Sequence, residues 1–161
     1  TKNDLSSIDF QEIFLDNMVN GLFDLKALGS SFEGSNSLMY LINGSVKCID
    51  GYIKRLIDEI RLTLKKNDLK ASRTKIALSW TLDQHIMRGD KIEMLENLTS
   101  RLRDYIGDVE AYEDPDFNLF HSDKTTIIVS CSKLDFDNLT KIKQDTNLII
   151  VKATPLCETL Q

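Results

Sequence analysis

The sequence predicts an α/β fold, in which an N-terminal amphipathic helical hairpin precedes a small α/β unit; an α+β arrangement is also compatible with it. Two long apolar stripes with helical spacing occupy the N-terminal part. The C-terminal part contains an apolar strand, a helix and a second apolar strand within about thirty residues, which is the length of a βαβ unit. A chain of 161 residues suits one domain, or two small units that share a core. We therefore predict a hairpin over residues 1–67 and an α/β unit over residues 72–161.

The first predicted helix covers residues 8–28. Its apolar residues recur in steps of three and four, which places them on one helical face. Ser6 and Ser7 precede it and are suited to cap the first turn. The Gly- and Ser-rich segment 29–37 indicates a loop. The stripe consists of Ile8, Gln11, Leu15, Met18, Leu22 and Leu25, and it is widened by Phe10, Phe14, Val19 and Phe23.

Residues 38–66 allow two interpretations. Apolar residues with helical spacing continue from Met39 to Thr63, but the pair Asn43-Gly44 is typical of a tight β-hairpin turn. Gly44 and Gly51 would each cost a helix about 1 kcal/mol relative to alanine. Burial of each Leu or Ile of the stripe contributes roughly 1.5–3 kcal/mol in the other direction. We therefore predict one long helix.

The middle of the chain alternates basic, apolar and helical segments. Residues 65–75 carry five basic side chains against one acidic side chain, and we expect a solvated connector. Residues 76–82 alternate large apolar with small or polar side chains, which predicts a half-buried strand with Trp80 in the core. Residues 90–106 have a helical apolar stripe, and Gly107 is suited to end that helix.

The C-terminal part contains an acidic segment and the βαβ unit. Residues 108–123 are acidic and lack Lys and Arg, so we expect a long exposed loop that contacts a basic partner or is mobile. We expect no metal site in it, because its carboxylates lack the spacing of an EF-hand. The two predicted strands are Thr125–Cys131 and Leu148–Ala153. Ser132 is suited to cap the helix between them, with Asp135 three residues further on. Strand, helix and strand predict a parallel pair joined by a right-handed crossover.

Composition restricts the partners and the compartment. A net charge of −5 and a pI of about 5.0 argue against nucleic acid as a partner, because proteins that bind nucleic acid usually have a basic surface. We expect no membrane partner, because no apolar run is long enough to span a bilayer, and a cytoplasmic or otherwise intracellular location. Cys48, Cys131 and Cys157 lack metal-ligand spacing, so the expected state is reduced, without metal or cofactor.

One corner of the predicted α/β unit is a candidate ligand site. In open α/β sheets, ligands bind where the carboxyl end of a strand meets the next helix. That corner holds Ser130, Ser132 and Lys133, whose hydroxyls and ammonium group suit a phosphate or another anion. No Rossmann or Walker glycine pattern supports a nucleotide. Cys131 is a candidate nucleophile, but His121 is expected at the opposite end of the strand and His85 cannot be placed. The alternative is a purely structural corner, in which Ser132 caps the helix and Cys131 is a small buried apolar residue.

The hairpin is the second candidate site. Its apolar surface exceeds what a small α/β unit easily covers, so we expect it to complete a four-helix bundle with a second copy or with a heteromeric protein partner. The function expected from this is non-catalytic assembly. The predicted interface consists of Leu15, Met18, Leu22, Leu25, Ile49, Ile53, Leu56 and Ile60.

A signalling role is an alternative. A dimerising hairpin followed by an α/β half resembles the phosphotransfer and degenerate ATP-binding halves of two-component sensor kinases, and Asn20-Gly21-Leu22 in the first helix carries a local likeness. The resemblance implies a phosphotransfer-like module. The first helix has no histidine to accept a phosphoryl group and the glycine-rich ATP-binding motifs are absent, so the implied module is inactive or divergent.

Overall fold

A computed structural model describes residues 13–31, 36–82, 88–113, 125–142, 147–155 and 159–160. Within these segments a pair of helices precedes a largely parallel sheet with two further helices, four α-helices and five strands in all, which confirms the predicted α/β fold class. The helices are α1 (Leu15–Ser31), α2 (Asn36–Lys66), α3 (Arg88–Ile106) and α4 (Lys133–Ile142). The strands are β1 (Lys75–Ser79), β2 (Val109–Tyr112), β3 (Thr126–Ser130), β4 (Leu148–Lys152) and β5 (Thr159–Leu160).

The strands form one sheet in the order β2-β1-β3-β4-β5. The first four strands of that order are parallel, and β5 pairs antiparallel with β4. The predicted parallel pairing of β3 with β4 is confirmed, with Thr126 opposite Leu148. From β1 the chain continues to β2 at one edge of the sheet, and from β3 it continues to β4 in the opposite direction. The point where the direction of strand addition reverses therefore lies between β1 and β3. At that point Ser79 lies opposite Ser130.

The helices cover both faces of the sheet. One large core joins α1, α2 and α3 to one face, while Leu139 of α4 packs with Ala77, Ile128 and Ile150 on the other. Two crossovers of the same hand that proceed in opposite directions along a sheet place their helices on opposite faces, as α3 and α4 are placed here. The large core crosses the predicted boundary between the hairpin and the α/β unit.

Strand β1 corrects one prediction. It was expected to be half-buried, but Ile76, Ala77, Leu78 and Ser79 are all buried. A parallel strand with helices on both faces is inaccessible to solvent from both sides, so the small residue Ala77 packs in the second core, beside Leu139 of α4, and does not face solvent. Trp80, which directly follows β1, is fully buried, as predicted.

Helix α1 starts later than predicted. Residues 8–12 lie outside the described residues, and Ile13 and Phe14 precede the helix. The Asn17 side-chain oxygen accepts a hydrogen bond from the Phe14 backbone N–H at 3.0 Å, which is half of a capping box with Phe14 as the N-cap residue. At its other end α1 continues to Ser31, through the first residues of the predicted loop 29–37, and α2 begins at Asn36.

Helix α2 confirms the prediction of one long helix over the hairpin-turn alternative. It runs unbroken through Asn43, Gly44 and Gly51. Its apolar stripe is buried against α1, α3 and the sheet, and the free energy gained from so many buried side chains exceeds the helical cost of two glycines. The buried residues of the stripe are Ile42, Ile49, Tyr52, Ile53, Leu56, Ile57, Ile60, Thr63 and Leu64.

Segment 108–123 corrects another prediction. Residues 109–112, expected in a loop, form the edge strand β2, with Val109 fully buried. Gly107 precedes it with a φ of 102° and ends α3, as predicted, because that conformation is strained for residues with a Cβ. Residues 114–123 lie outside the described residues. Among the described helices none is long and apolar enough to cross a membrane.

Candidate functional site

The switch point between β1 and β3 is where a doubly wound sheet most often binds its ligand. Here the first turn of α1 lies across it. The Leu15 backbone N–H donates to the Ala153 carbonyl at 2.8 Å, and the Asp16 N–H donates to the Cys131 carbonyl at 3.0 Å. Leu15 is fully buried. The first helix of the hairpin is thus anchored on the loops that follow β3 and β4.

Asp16 fixes this anchor through its side chain. One carboxylate oxygen accepts from the Trp80 indole N–H at 2.9 Å and from the Lys91 ammonium at 2.6 Å. The other oxygen accepts from the Asn20 amide at 3.1 Å. The Lys91 and Asp16 side chains are largely covered, so this pair is less screened by solvent than a surface salt bridge. Asp16 therefore connects α1 with the end of β1 and the start of α3.

Asp135 makes a second connection at the same corner. It is fully buried at the start of α4, and its carboxylate accepts hydrogen bonds from the Thr81 backbone N–H at 2.8 Å and from the Thr81 hydroxyl. Its own N–H donates to the Ser132 hydroxyl oxygen at 3.1 Å, which is the predicted N-cap of this helix. Burial raises the pKa of the Asp135 carboxyl, the hydrogen bonds from Thr81 and Ser132 lower it, and the nearby Asp16 raises it further.

Cys131 lies near both carboxylates and is fully buried. Burial raises the pKa of its thiol well above the usual value, and the charges of Asp135 and Asp16 raise it further. A thiol in this environment holds its proton at neutral pH and is a poor nucleophile. Both histidines of the chain, His85 and His121, lie outside the described residues, so the predicted lack of a nearby base stays a prediction.

The structure brings Ser130 and Ser132 together and engages both hydroxyls. The Ser130 hydroxyl donates to the Ser132 carbonyl at 2.9 Å, and the Ser132 hydroxyl caps α4. Lys133 is exposed, at the first position of the helix. With two carboxylates close by, the corner offers an anion more repulsion than its sequence indicated. Anion binding here stays a prediction, and the geometry favours a structural role for the corner.

The buried Asp135 carboxyl predicts a definite pH dependence. Its raised pKa means that, as pH rises from about 4, the unfolded chain releases this proton before the folded chain does. The carboxyl therefore stabilises the fold most at acidic pH, and this contribution is lost as pH rises through the folded-state pKa. Asp135→Asn keeps an acceptor for Thr81 without a charge, so we expect its stability relative to wild type to improve from pH 4 to pH 7.

Urea denaturation at several pH values measures this difference. Asp137→Asn is the matched control, because Asp137 is exposed on the same helix, and its difference from wild type should change little with pH. A wild-type chain that gains stability over Asp135→Asn as pH rises would contradict the assignment.

The second candidate region is an apolar groove between α1 and α2, with a volume of about 530 Å³. Its lining combines large apolar side chains, among them Met18, Leu25 and Leu41, with small residues of both helices. Leu41 remains 53 % exposed. The lining residues are Met18, Gly21, Leu22, Leu25, Leu41, Gly44, Ser45, Cys48 and Ile49.

The predicted interface residues do not form this surface as a set. Most of them are buried in the core of the single chain: Leu15, Leu22, Ile49, Ile53, Leu56 and Ile60. Only Met18 and Leu25 are partly exposed and packed at the edge of that core. The stripe that the sequence shows is therefore mainly the inward face of the hairpin, and the exposed apolar surface lies beside it.

Two charged features do not form metal sites. The cleft between α2 and α3 holds Asp50, Glu93 and Glu96, and Arg101 pairs with Asp50 at 3.3 Å. At the edge of the sheet, the predicted basic connector ends in Lys75, which pairs with Glu110 at 2.7 Å. In the described part of the chain, no group of three His, Cys, Asp or Glu residues is placed to hold a metal ion.

Comparison of the chain with known protein families, with curated proteins and with solved structures finds no match. The fold class therefore rests on the chain's own elements. Assembly, anion binding and the phosphotransfer-like alternative all stay untested by relatives.

Proposed function

We propose that this protein is a non-catalytic assembly subunit that dimerises through the face of its helical hairpin that bears the apolar groove. The groove between α1 and α2 is the observation that carries the proposal. The groove is bordered by the exposed side chain of Leu41 and by the partly exposed Met18 and Leu25, and apolar surfaces on folded proteins commonly mark interaction sites. The proposed interface is therefore the exposed surface beside the apolar stripe and not the buried stripe itself.

Large apolar side chains extend the groove along both helices. Leu25 and Leu28 follow Gly21 at steps of four and three on α1, so all three lie on one side of that helix. Leu28 is 48 % exposed, and Leu41 borders the groove on α2. Two helical pairs pack closely when large side chains of one pair fit into the groove of the other, and this face presents both large side chains and a groove.

Two glycines line the groove without a packing reason among the described residues. Gly21 and Gly44 lie inside helices, where each costs about 1 kcal/mol relative to alanine. A Cβ at either position would meet no atom within 4 Å among the described residues. Close approach of another chain's backbone is a physical reason to keep them.

The location of α3 supports the same face. Helix α3 packs against the other side of the hairpin, where Glu93, Met94 and Asn97 lie beside Val19 and Val46. Within the described residues α1, α2 and α3 thus form a three-helix layer over the sheet. A helix pair from a second copy, docked on the groove, completes a bundle on the side that α3 leaves open.

Leu41→Glu tests the proposed function. Burial of one leucine contributes roughly 1.5–3 kcal/mol, and each dimer contains two, so the dissociation constant should rise at least about a hundredfold. Leu134→Glu is the matched control, because Leu134 is 57 % exposed on α4, on the opposite face of the sheet. Sedimentation velocity over a concentration series gives both constants. Equal constants for the two variants would refute the role of the groove.

Gly44→Ala separates helix propensity from association. A lone chain should gain up to about 1 kcal/mol of stability, because the new methyl group meets nothing and favours the helix. In a dimer with close helix contact, the methyl group should weaken association at the same time. We expect a raised dissociation constant together with an unchanged or raised melting temperature of the dilute protein. Tighter association would contradict the proposal.

A further inference from the structure

We propose that the two copies are related by a twofold axis parallel to the hairpin helices, so that α1 of each copy packs on α2 of the other and Asp24 pairs with Lys47 of the second copy. This inference rests on the proposed dimer and specifies which surfaces meet. A dimer built in this way is isologous, since each copy contributes the same patch.

Two arrangements bring the groove faces of two hairpins together. A twofold axis along the helices sets α1 of one copy over α2 of the other. A twofold axis across the helices, in the plane of the interface, sets α1 over α1 and α2 over α2. Apolar surface alone does not discriminate between them, but charges on the flanks of an interface specify pairing and orientation.

One exposed acidic residue, Asp24, lies on α1 on the side that bears Gly21, and one exposed basic residue, Lys47, lies on α2 on the side that bears Gly44. Asp24 lies three residues after Gly21 and four before Leu28, so it shares their side of α1. Lys47 lies three residues after Gly44 and four before Gly51, so it shares their side of α2. Both charged side chains are exposed.

The two charges also lie at the same level of the hairpin. The helices are antiparallel and close at Gly29, where an added Cβ would come within 2.9 Å of the Ile42 Cδ1 atom. Five residues back from Gly29 is Asp24, and five residues on from Ile42 is Lys47. A twofold axis along the helices preserves this level, so each Asp24 faces a Lys47 of the second copy. A twofold axis across the helices would not bring α1 charges to α2 charges.

Charge reversal tests the pairing. Asp24→Lys and Lys47→Asp should each raise the dissociation constant of the dimer about fivefold to tenfold, because two attractive contacts become repulsive. The double variant restores opposite charges and should return the constant to within about twofold of wild type. Both effects should shrink as salt screens the charges. Asp104→Lys, a reversal at an exposed position of α3, is the control and should leave the constant unchanged.

The outcomes separate this inference from the proposed function. Single reversals that weaken the dimer, with rescue in the double variant, support the arrangement. A dimer that is sensitive to Leu41→Glu but unaffected by the single reversals, or not rescued by the double one, overturns the arrangement and leaves the proposed function standing. Wild-type protein that sediments as a monomer at every concentration overturns both. Circular dichroism of each variant verifies that the fold is retained.

Discussion

Replacing Asp16 with alanine should lower the free energy of unfolding by about 2–4 kcal/mol. The substitution leaves the ammonium group of Lys91 without its carboxylate and the indole N–H of Trp80 without its acceptor, in a corner that solvent reaches poorly. It also removes the side-chain contact that holds the first turn of α1 on the sheet. Because the two backbone hydrogen bonds of that turn remain, we expect a destabilised chain and not an unfolded one.

Urea denaturation, followed by circular dichroism, measures this loss. Asp104→Ala is the control, since Asp104 is exposed on α3 and a substitution there should change stability by less than about 0.5 kcal/mol. If the two variants lose the same stability, Asp16 is not the anchor that its contacts indicate.

Leu56→Ala should have an equally large effect and should act on both parts of the chain. Leu56 is fully buried at the centre of the core that α2 shares with the sheet, and the loss of a leucine from such a site costs about 2–5 kcal/mol. Because that core is continuous, the hairpin and the α/β unit should unfold together. The fluorescence of the single tryptophan, Trp80, reports the junction between the end of β1 and Asp16 of α1, while circular dichroism at 222 nm reports mainly the helices.

The two signals should shift to lower urea together in Leu56→Ala. Leu62→Ala is the matched control on the same helix, because Leu62 is 41 % exposed, and it should shift both signals only slightly. A helical signal that falls in two separate steps as urea rises would show that residues 1–67 and 72–161 fold as separate units.

The helices were largely predictable because their stripes are long. In α2 the repeated apolar spacing outweighed the turn signal of Asn43-Gly44, and the energy of burial explains why. Strands β3 and β4 were predictable as continuous apolar runs, which is typical of parallel strands buried on both faces. Strand β2 was not, because one buried Val109 among acidic neighbours provides too little pattern to distinguish an edge strand from a loop.

The polar corner could be predicted only in part. Ser132 and Asp135 are close in sequence, so their capping contact was visible as a local motif. Asp16 meets Trp80 and Lys91 across separations of 64 and 75 residues, and no spacing rule connects them. The one available signal was Trp80 itself, because a buried indole requires an acceptor for its N–H. That signal indicates that a partner exists without identifying it.

Periodicity also could not separate the core from an interface. Leu22 and Ile53 have the spacing expected of both, and the structure buries them within the chain. Their replacement by glutamate would therefore test folding and not association. Leu41 differs only in lying one position to the side of the buried stripe, and its exposure depends on where α3 packs, which local sequence does not determine.

The solution mass of the unmodified chain tests the central claim most directly. Sedimentation equilibrium at concentrations from about 1 to 100 micromolar gives this mass independently of molecular shape. A groove-bearing face that joins two copies predicts a concentration-dependent rise toward twice the chain mass of 18.4 kDa, with that rise lost in Leu41→Glu and kept in Leu134→Glu. A constant mass of 18.4 kDa over the whole range would contradict it.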